Sequence, residues 1–253
     1  MNAWEQLAPN TVMVAGDWHG NHYHAEDAIR YAAEHGAQAI LHVGDFAYQF
    51  RPSFMSAVQQ ALGETGLYLG FVPGNHDSYV YLDLREQEHG CTAIPLRPNL
   101  FYLPRTYRWI WSGVSFLALG GAHSVDRPWR ARGEWWARET ITISEAVTAA
   151  NGGRADVMIC HDVPDGVRIP CIEGNPIGFP DAEIEAAQRH RELLRRVVDE
   201  VKPKHLFAGH YHCRLDAPLV SRDYRTDVHI LDMDGARMRD NTQVMDLTDL
   251  KSN

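Results

Sequence analysis

Short apolar runs rich in β-branched residues punctuate the chain at 11–15, 39–43, 67–72, 115–119, 156–160, 205–208 and 228–231. Runs of this length bounded by turn residues predict buried strands. Helical periodicity is clearest over 181–201, where Ile184, Ala187, Leu194, Val197 and Val201 share a face, Asp181 stands as N-cap and Pro203 ends the helix. Two earlier helices are predicted over 24–35 and 54–62, each between a strand ending in Gly-Asp and the next strand, so the first third reads βαβαβ. From 100 to 119 the pattern changes to aromatic alternation (Phe101, Tyr102, Tyr107, Trp109, Trp111, Phe116), which predicts antiparallel neighbours and a second sheet. The fold class is therefore α/β with mixed sheets. No repeat and no Gly/Ser/Pro linker divides the chain, so 1–253 reads as one domain. Residues 163–180, rich in Pro and Gly, predict a long surface loop of the kind that flanks active sites. After Asp234 the chain is polar and motif-free, open to reading as a strand pair, a cap or disordered tail.

Composition narrows the function classes. With 45% hydrophobic and 23% charged residues, a core forms without disulfides or a structural metal. Lys plus Arg total 24 against 33 Asp plus Glu, a net charge of −9, which disfavours bulk electrostatic binding to nucleic acid or anionic lipid. No apolar run approaches the roughly 20 residues of a membrane helix, and the amino-terminal segment lacks a basic region followed by an apolar run, so a cytoplasmic protein is expected. Cys91, Cys160, Cys171 and Cys213 are scattered without a CxxC pair and read as reduced thiols. There are 14 histidines, and their placement matters more than their number.

Five strand ends are followed at once by metal-binding residue types: Asp17-Trp18-His19, Gly44-Asp45, Gly74-Asn75-His76-Asp77, His161-Asp162 and Gly209-His210-Tyr211-His212. Alone, each has a plainer reading: a turn, an N-cap, or histidines on an extended segment. Because the carboxyl ends of strands in an α/β sheet converge on one crevice, the five together predict one site. Asp17, His19, Asp45, Asn75, His161, His210 and His212 offer two carboxylates, one amide oxygen and four imidazoles, a set suited to Mn, Fe, Zn or Co rather than Ca or Mg. Seven ligands exceed one ion's need, and sharing Asp45 between two divalent transition metals gives each four.

In this order the motifs resemble those of the calcineurin-like metallophosphoesterases, and the likeness runs from Asp17 to His212. The resemblance implies a four-layer αββα sandwich with a dimetal phosphoester hydrolase centre. It assigns Asp17, His19 and His212 to one metal, Asn75, His161 and His210 to the other, and Asp45 to both; manganese is taken as the metal. It places His76 beside the scissile phosphate with Asp77 as its supporting acid. Two cations about 3.5 to 4 Å apart lower the pKa of a bridging water, so that hydroxide attacks in line while His76 assists the leaving oxygen. Since ligating imidazoles must be neutral, activity is expected to fall below about pH 6 to 6.5.

The second motif lacks the arginine of the phosphoprotein phosphatases, reading Gly44-Asp45-Phe46-Ala47-Tyr48-Gln49, and Tyr48 is a candidate substrate contact or a packed rim aromatic. The stretch 119–130 offers His123, Arg127 and Arg130 for phosphate binding. With Cys160-His161-Asp162-Val163-Pro164 it shows a partial likeness to the RNA lariat debranching branch, which often has Cys where Asp17 stands here. His22 and His24 either rim the site or are exposed. Trp135-Trp136 has no evident role, and alternation turns Cys160 and Cys213 away from the site. The expected substrate is a phosphodiester, a small nucleotide ahead of nucleic acid, with no membrane partner. A phosphomonoesterase using the same site is the alternative. A non-catalytic scaffold is disfavoured because every ligand position is filled, and a metallo-β-lactamase-type centre because its His-x-His-x-Asp-His cluster is absent.

Overall fold

Strands whose every side chain is apolar need cover on both faces, and the chain supplies it by stacking two sheets between two layers of helices. The computed structural model describes residues 3–131 and 133–251; Met1 and Asn2 of the segment read above for a leader, and Arg132, Ser252 and Asn253, lie outside the described residues. In chain order the first half comprises α1 (Ala3–Gln6), β1 (Thr11–Ala15), α2 (His22–Glu34), β2 (Ala39–His42), α3 (Pro52–Thr65), β3 (Tyr68–Phe71), α4 (Tyr79–His89), β4 (Ile94–Arg97) and β5 (Leu100–Tyr102). The second comprises β6 (Arg108–Trp111), β7 (Val114–Leu119), α5 (Ile143–Asn151), β8 (Val157–Cys160), α6 (Asp181–Val201), β9 (His205–Ala208), β10 (Leu215–Val220), β11 (Arg225–Ile230), α7 (Met238–Asn241) and β12 (Thr242–Asp246).

The sheets have six strands each, in the orders β12-β1-β2-β3-β5-β4 and β10-β11-β9-β8-β7-β6. Parallel pairing links β1 to β2, β2 to β3, β3 to β5, β7 to β8, β8 to β9 and β9 to β11, while β12, β4, β6 and β10 add antiparallel edges. Three apolar layers result. One packs α2 and α3 on the first sheet, a second joins the facing sheets through Val14, Leu41, Phe116 and Ile159, and the third packs α5 and α6 on the second sheet. This is the expected four-layer sandwich. No helix among the described residues is long and apolar enough to cross a membrane.

Differences from the expected elements have local causes. The aromatic stretch from 100 to 119 is split: β5 closes the first sheet and the β6–β7 hairpin opens the second, with Trp109 and Trp111 packing on Trp4 between them. Asp181 is not the N-cap of α6 but its first-turn acid after Pro180, where a carboxylate complements the helix dipole. The segment after Asp234 forms α7 and β12, and β12 lies antiparallel against β1. Residues 163–180 form the expected loop, interrupted by one 3-10 turn at Pro170–Ile172.

Candidate metal centre

Because β1, β2, β3, β8 and β9 are parallel within their sheets, their carboxyl-terminal turns meet across the sandwich. The first sheet brings Asp17, His19, Asp45, Asn75 and His76; the second brings His161, His210 and His212. Ligand atoms of Asp17, His19, Asp45 and His212 all lie within 4.8 Å of one another. On the other side of Asp45, His161 Nε2 is 3.4 Å from Asp45 Oδ2 and 2.9 Å from Asn75 Oδ1, and the His210 ring centroid is 5.2 Å from that of His161. Asp45 Oδ2 also lies 3.6 Å from His19 Nε2, so one carboxylate oxygen faces both groups.

Each buried carboxylate spends one oxygen on a backbone N–H and keeps the other free. His76 N–H donates to Asp45 Oδ1 at 2.7 Å, and His210 N–H donates to Asp17 Oδ2 at 3.0 Å. Asp45 Oδ2 and Asp17 Oδ1 are buried without a hydrogen-bond partner among the described residues. Unpaired buried carboxylate oxygens are costly unless a cation faces them, so the residues fit a pair of divalent metals. Residues 11–214 match the model of the calcineurin-like phosphoesterases. The chain belongs to this family. Among solved structures it is similar to the TT1561 protein of Thermus thermophilus, with 14% identity and a TM-score of 0.55 over 95% of this chain and 100% of that one. It is also similar to a dimetal phosphatase from Danio rerio, with 13% identity and a TM-score of 0.50 over 89% of this chain and 88% of that one. No curated protein matches its sequence.

The phosphoesterase backbone is shaped around these side chains. His19, Asp45, Tyr48, His210 and His212 all have φ between 47° and 68°, a left-handed conformation that costs a non-glycine residue about 1–2 kcal/mol. A Cβ on Gly74 would collide with the Asp45 carboxylate, and one on Gly209 with that of Asp17.

Behind the ligands stand residues whose role the sequence did not reveal. Asp234 accepts from His19 Nδ1 at 2.9 Å and from Asn21 at 2.8 Å, which turns His19 Nε2 toward Asp45. The Val43 carbonyl takes the Nδ1 proton of His161 at 2.9 Å and leaves its Nε2 facing the centre. Asn75 Nδ2 donates to Ser124 Oγ, whose hydroxyl donates to Glu139, so the amide oxygen is the atom aimed inward. Trp135 acquires a role here, since its indole N–H donates to Glu139. Asp162 accepts from His190 and from the Tyr211 hydroxyl, both at 2.6 Å, bracing the turn after β8 against the one after β9.

Electrostatics follow from this packing. Burial disfavours a charged imidazole at His19, yet its hydrogen bond to Asp234 and the charge of the nearby Asp45 carboxylate outweigh that and raise its pKa to about 11. His161 is likewise opposed by burial and raised to about 9 by Asp45. Burial lowers His210 to about 4. Asp45 and Asp17 stay below the usual carboxylate range because their histidine neighbours overcome desolvation.

Several expected site residues stand elsewhere. Asp77 does not support His76: its carboxylate accepts from the backbone N–H groups of Phe46, Ala47 and Gly74, stapling two ligand loops together. The neighbours of His76 Nε2 are Arg130 at 2.9 Å and Asp45 at 4.0 Å. Arginine can only donate, so this Nε2 is an acceptor, and burial together with Arg130 lowers the His76 pKa. Arg127 and His123 are not aimed at the centre. They converge on Glu183 of α6 at 2.6 and 2.7 Å, and neither lines a cavity beside the metals. Tyr48 is at the rim, its ring 5.1 Å from that of His76. His24 is turned away and bonds Asn241 at 3.0 Å, whereas His22 packs at a tilt against Tyr23. Cys160 is buried in the outer core of the second sheet, with Cys213 packed against it.

Proposed function

We propose that this phosphoesterase hydrolyses phosphodiesters of the small-nucleotide type in the cytoplasm, using two manganese ions held on a single domain spanning 1–253. The observation that carries the diester is a pair of cavities, about 500 and 400 Å³, that meet at a ridge formed by His76 and Asp126. A phosphoryl group on that ridge has room for a substituent on either side, whereas a monoester would fill one.

Asp17, His19 and His212 would hold one ion, Asn75, His161 and His210 the other, with Asp45 shared. Bound there, the ions supply an activated water and neutralise charge on the phosphoryl oxygens. The chain's own part is to fix the phosphoryl group and to manage the proton of the leaving oxygen. Arg130, only 5% exposed in its side chain, is clamped by Asp126 at 2.8 Å and donates to the Asn75 carbonyl at 3.1 Å. It presents a fixed cation to a phosphoryl group at the ridge. With Nε2 accepting from Arg130 and its pKa lowered, His76 rests neutral, so it would have to take up a proton before assisting the leaving oxygen. Tyr48, Trp129 and Trp136 line the larger cavity with aromatic faces for a nucleobase. The net charge of −9 favours a small nucleotide over a polymer.

The test is hydrolysis of bis(p-nitrophenyl) phosphate and p-nitrophenyl phosphate, side by side, by protein stripped and reloaded with Mn, with Asp45→Ala as control. Faster metal-dependent turnover of the diester, lost in the variant, is expected. A preference for the monoester overturns the diesterase reading, and two bound metals without turnover of either ester would point to a scaffold.

A further inference from the structure

The two cavities beside the ridge differ in chemistry. The larger carries Gln49, Arg51 and Glu134 among its lining. The smaller runs outward from His210 and His212, between the 163–180 loop and the start of α6, and its walls are Ile172, Ile177, Phe179 and Ile184. These isoleucines are 41%, 67% and 38% exposed, a cluster of branched aliphatics left to water around one concavity. Clustered exposed apolar surface of this kind marks a binding site, whereas single exposed apolar residues do not.

The polar side chains on the same wall are already engaged within the protein. Arg191 donates to the carbonyls of Val163, Pro164 and Val167. Asn175 exchanges two hydrogen bonds with the backbone of Phe179, at 2.8 and 2.9 Å, and Gln188 donates to Asp165 at 2.9 Å. A ligand there gains from burial and finds few free hydrogen-bonding groups. Phe179 also stacks on Trp129, with ring centroids 5.0 Å apart, so the loop wall is tied to the segment that carries Arg130.

We infer that the smaller cavity is a specificity subsite for an apolar alkyl or aryl ester group of the substrate, which leaves the polar, nucleotide-like ester group to the cavity of Tyr48 and Arg51. The inference rests on the diesterase reading. It makes the substrate asymmetric: one phosphate carrying a polar and an apolar substituent on opposite sides of His76.

The experiment is calorimetric titration of Mn-loaded protein with dimethyl-, ethyl(methyl)- and butyl(methyl)phosphinic acid, anions whose two substituents are both held by P–C bonds and cannot be hydrolysed, repeated with Ile184→Asp and Ile177→Asp. Burying one methylene strengthens binding about fourfold. From methyl to butyl, Kd should therefore fall about sixtyfold in the parent, and the methyl-to-butyl ratio should collapse toward one in both variants. A butyl compound that binds no tighter than the dimethyl compound overturns the inference, as does a preference that survives both substitutions or a protein that binds none of the three. Turnover of bis(p-nitrophenyl) phosphate is scored separately. A chain-length preference without turnover keeps the subsite and removes the diesterase, whereas turnover without the preference does the reverse.

Discussion

Metal affinity should keep rising with pH well beyond the range in which free histidine titrates. In the metal-free protein, His19 and His161 are raised to about 11 and about 9 by the carboxylates they face. Both carry a proton throughout pH 6 to 8, and each must lose it before its nitrogen can ligate. His210, lowered to about 4, is already neutral there and adds nothing. Each site therefore releases about one proton on loading. Its association constant should climb about tenfold per pH unit, near 1.4 kcal/mol, or about a hundredfold between pH 6 and 8. An unperturbed histidine, with a pKa of about 6.5, would give a plateau above roughly pH 7. Manganese titrations in buffers of matched ionic strength and differing ionisation enthalpy would report affinity and protons released together. The fall in activity expected below about pH 6 to 6.5 applies to metal-saturated enzyme; at limiting metal, loss should begin above neutrality. A plateau from pH 7 to 8, or release of no protons, would refute the assignment of His19 and His161 as charged partners of Asp45.

Further outcomes follow from single contacts. Ser124→Ala removes the acceptor of the Asn75 amide and should weaken the second equivalent of metal about tenfold or more, read by calorimetry; unchanged affinity would show that Asn75 is oriented by other means. Asp77→Ala strips three buried backbone N–H groups of their acceptor, and urea unfolding should show a loss of about 3 kcal/mol or more. A fully stable Asp77→Ala protein with an altered pH–rate profile would restore the discarded pairing with His76. Arg130→Met should lower kcat/KM on phosphodiesters about a hundredfold, with little rescue by Arg130→Lys, since an ammonium cannot span Asp126, the Asn75 carbonyl and His76 at once. Gly209→Ala forces a Cβ into the Asp17 carboxylate; calorimetry should find at least one metal equivalent lost.

The strand ends were legible because each ligand turn directly follows an apolar run, and parallel strands bring such turns to one edge. Local sequence served less well wherever a partner is distant. Arg127 and His123 looked available because Glu183, which occupies both, lies 56 and 60 residues away. Asp234 lies 215 residues from His19 in a segment with no motif. Asp77 misled for the opposite reason: adjacent in sequence to His76, it turns back onto the backbone of its own loop and that of Asp45. The helices α4 and α5 escaped the periodicity reading because their buried faces are small, Tyr79 and Leu82 in one and Ala146 and Ala149 in the other. For α5 a usable signal was present, the capping box of Thr142 and Glu145.

The position of β12 bears on how the enzyme is made. All seven proposed ligands precede residue 213, yet Asp234 and the strand that covers the open side of β1 come afterwards. A ribosome that has delivered every ligand has still produced a chain with a bare sheet edge and an unbraced His19. Bare edges invite association with other chains, so a polypeptide stalled or clipped in this interval would be prone to aggregate and slow to acquire metal. Hydrolytic competence thus waits on the strand that closes this sheet edge.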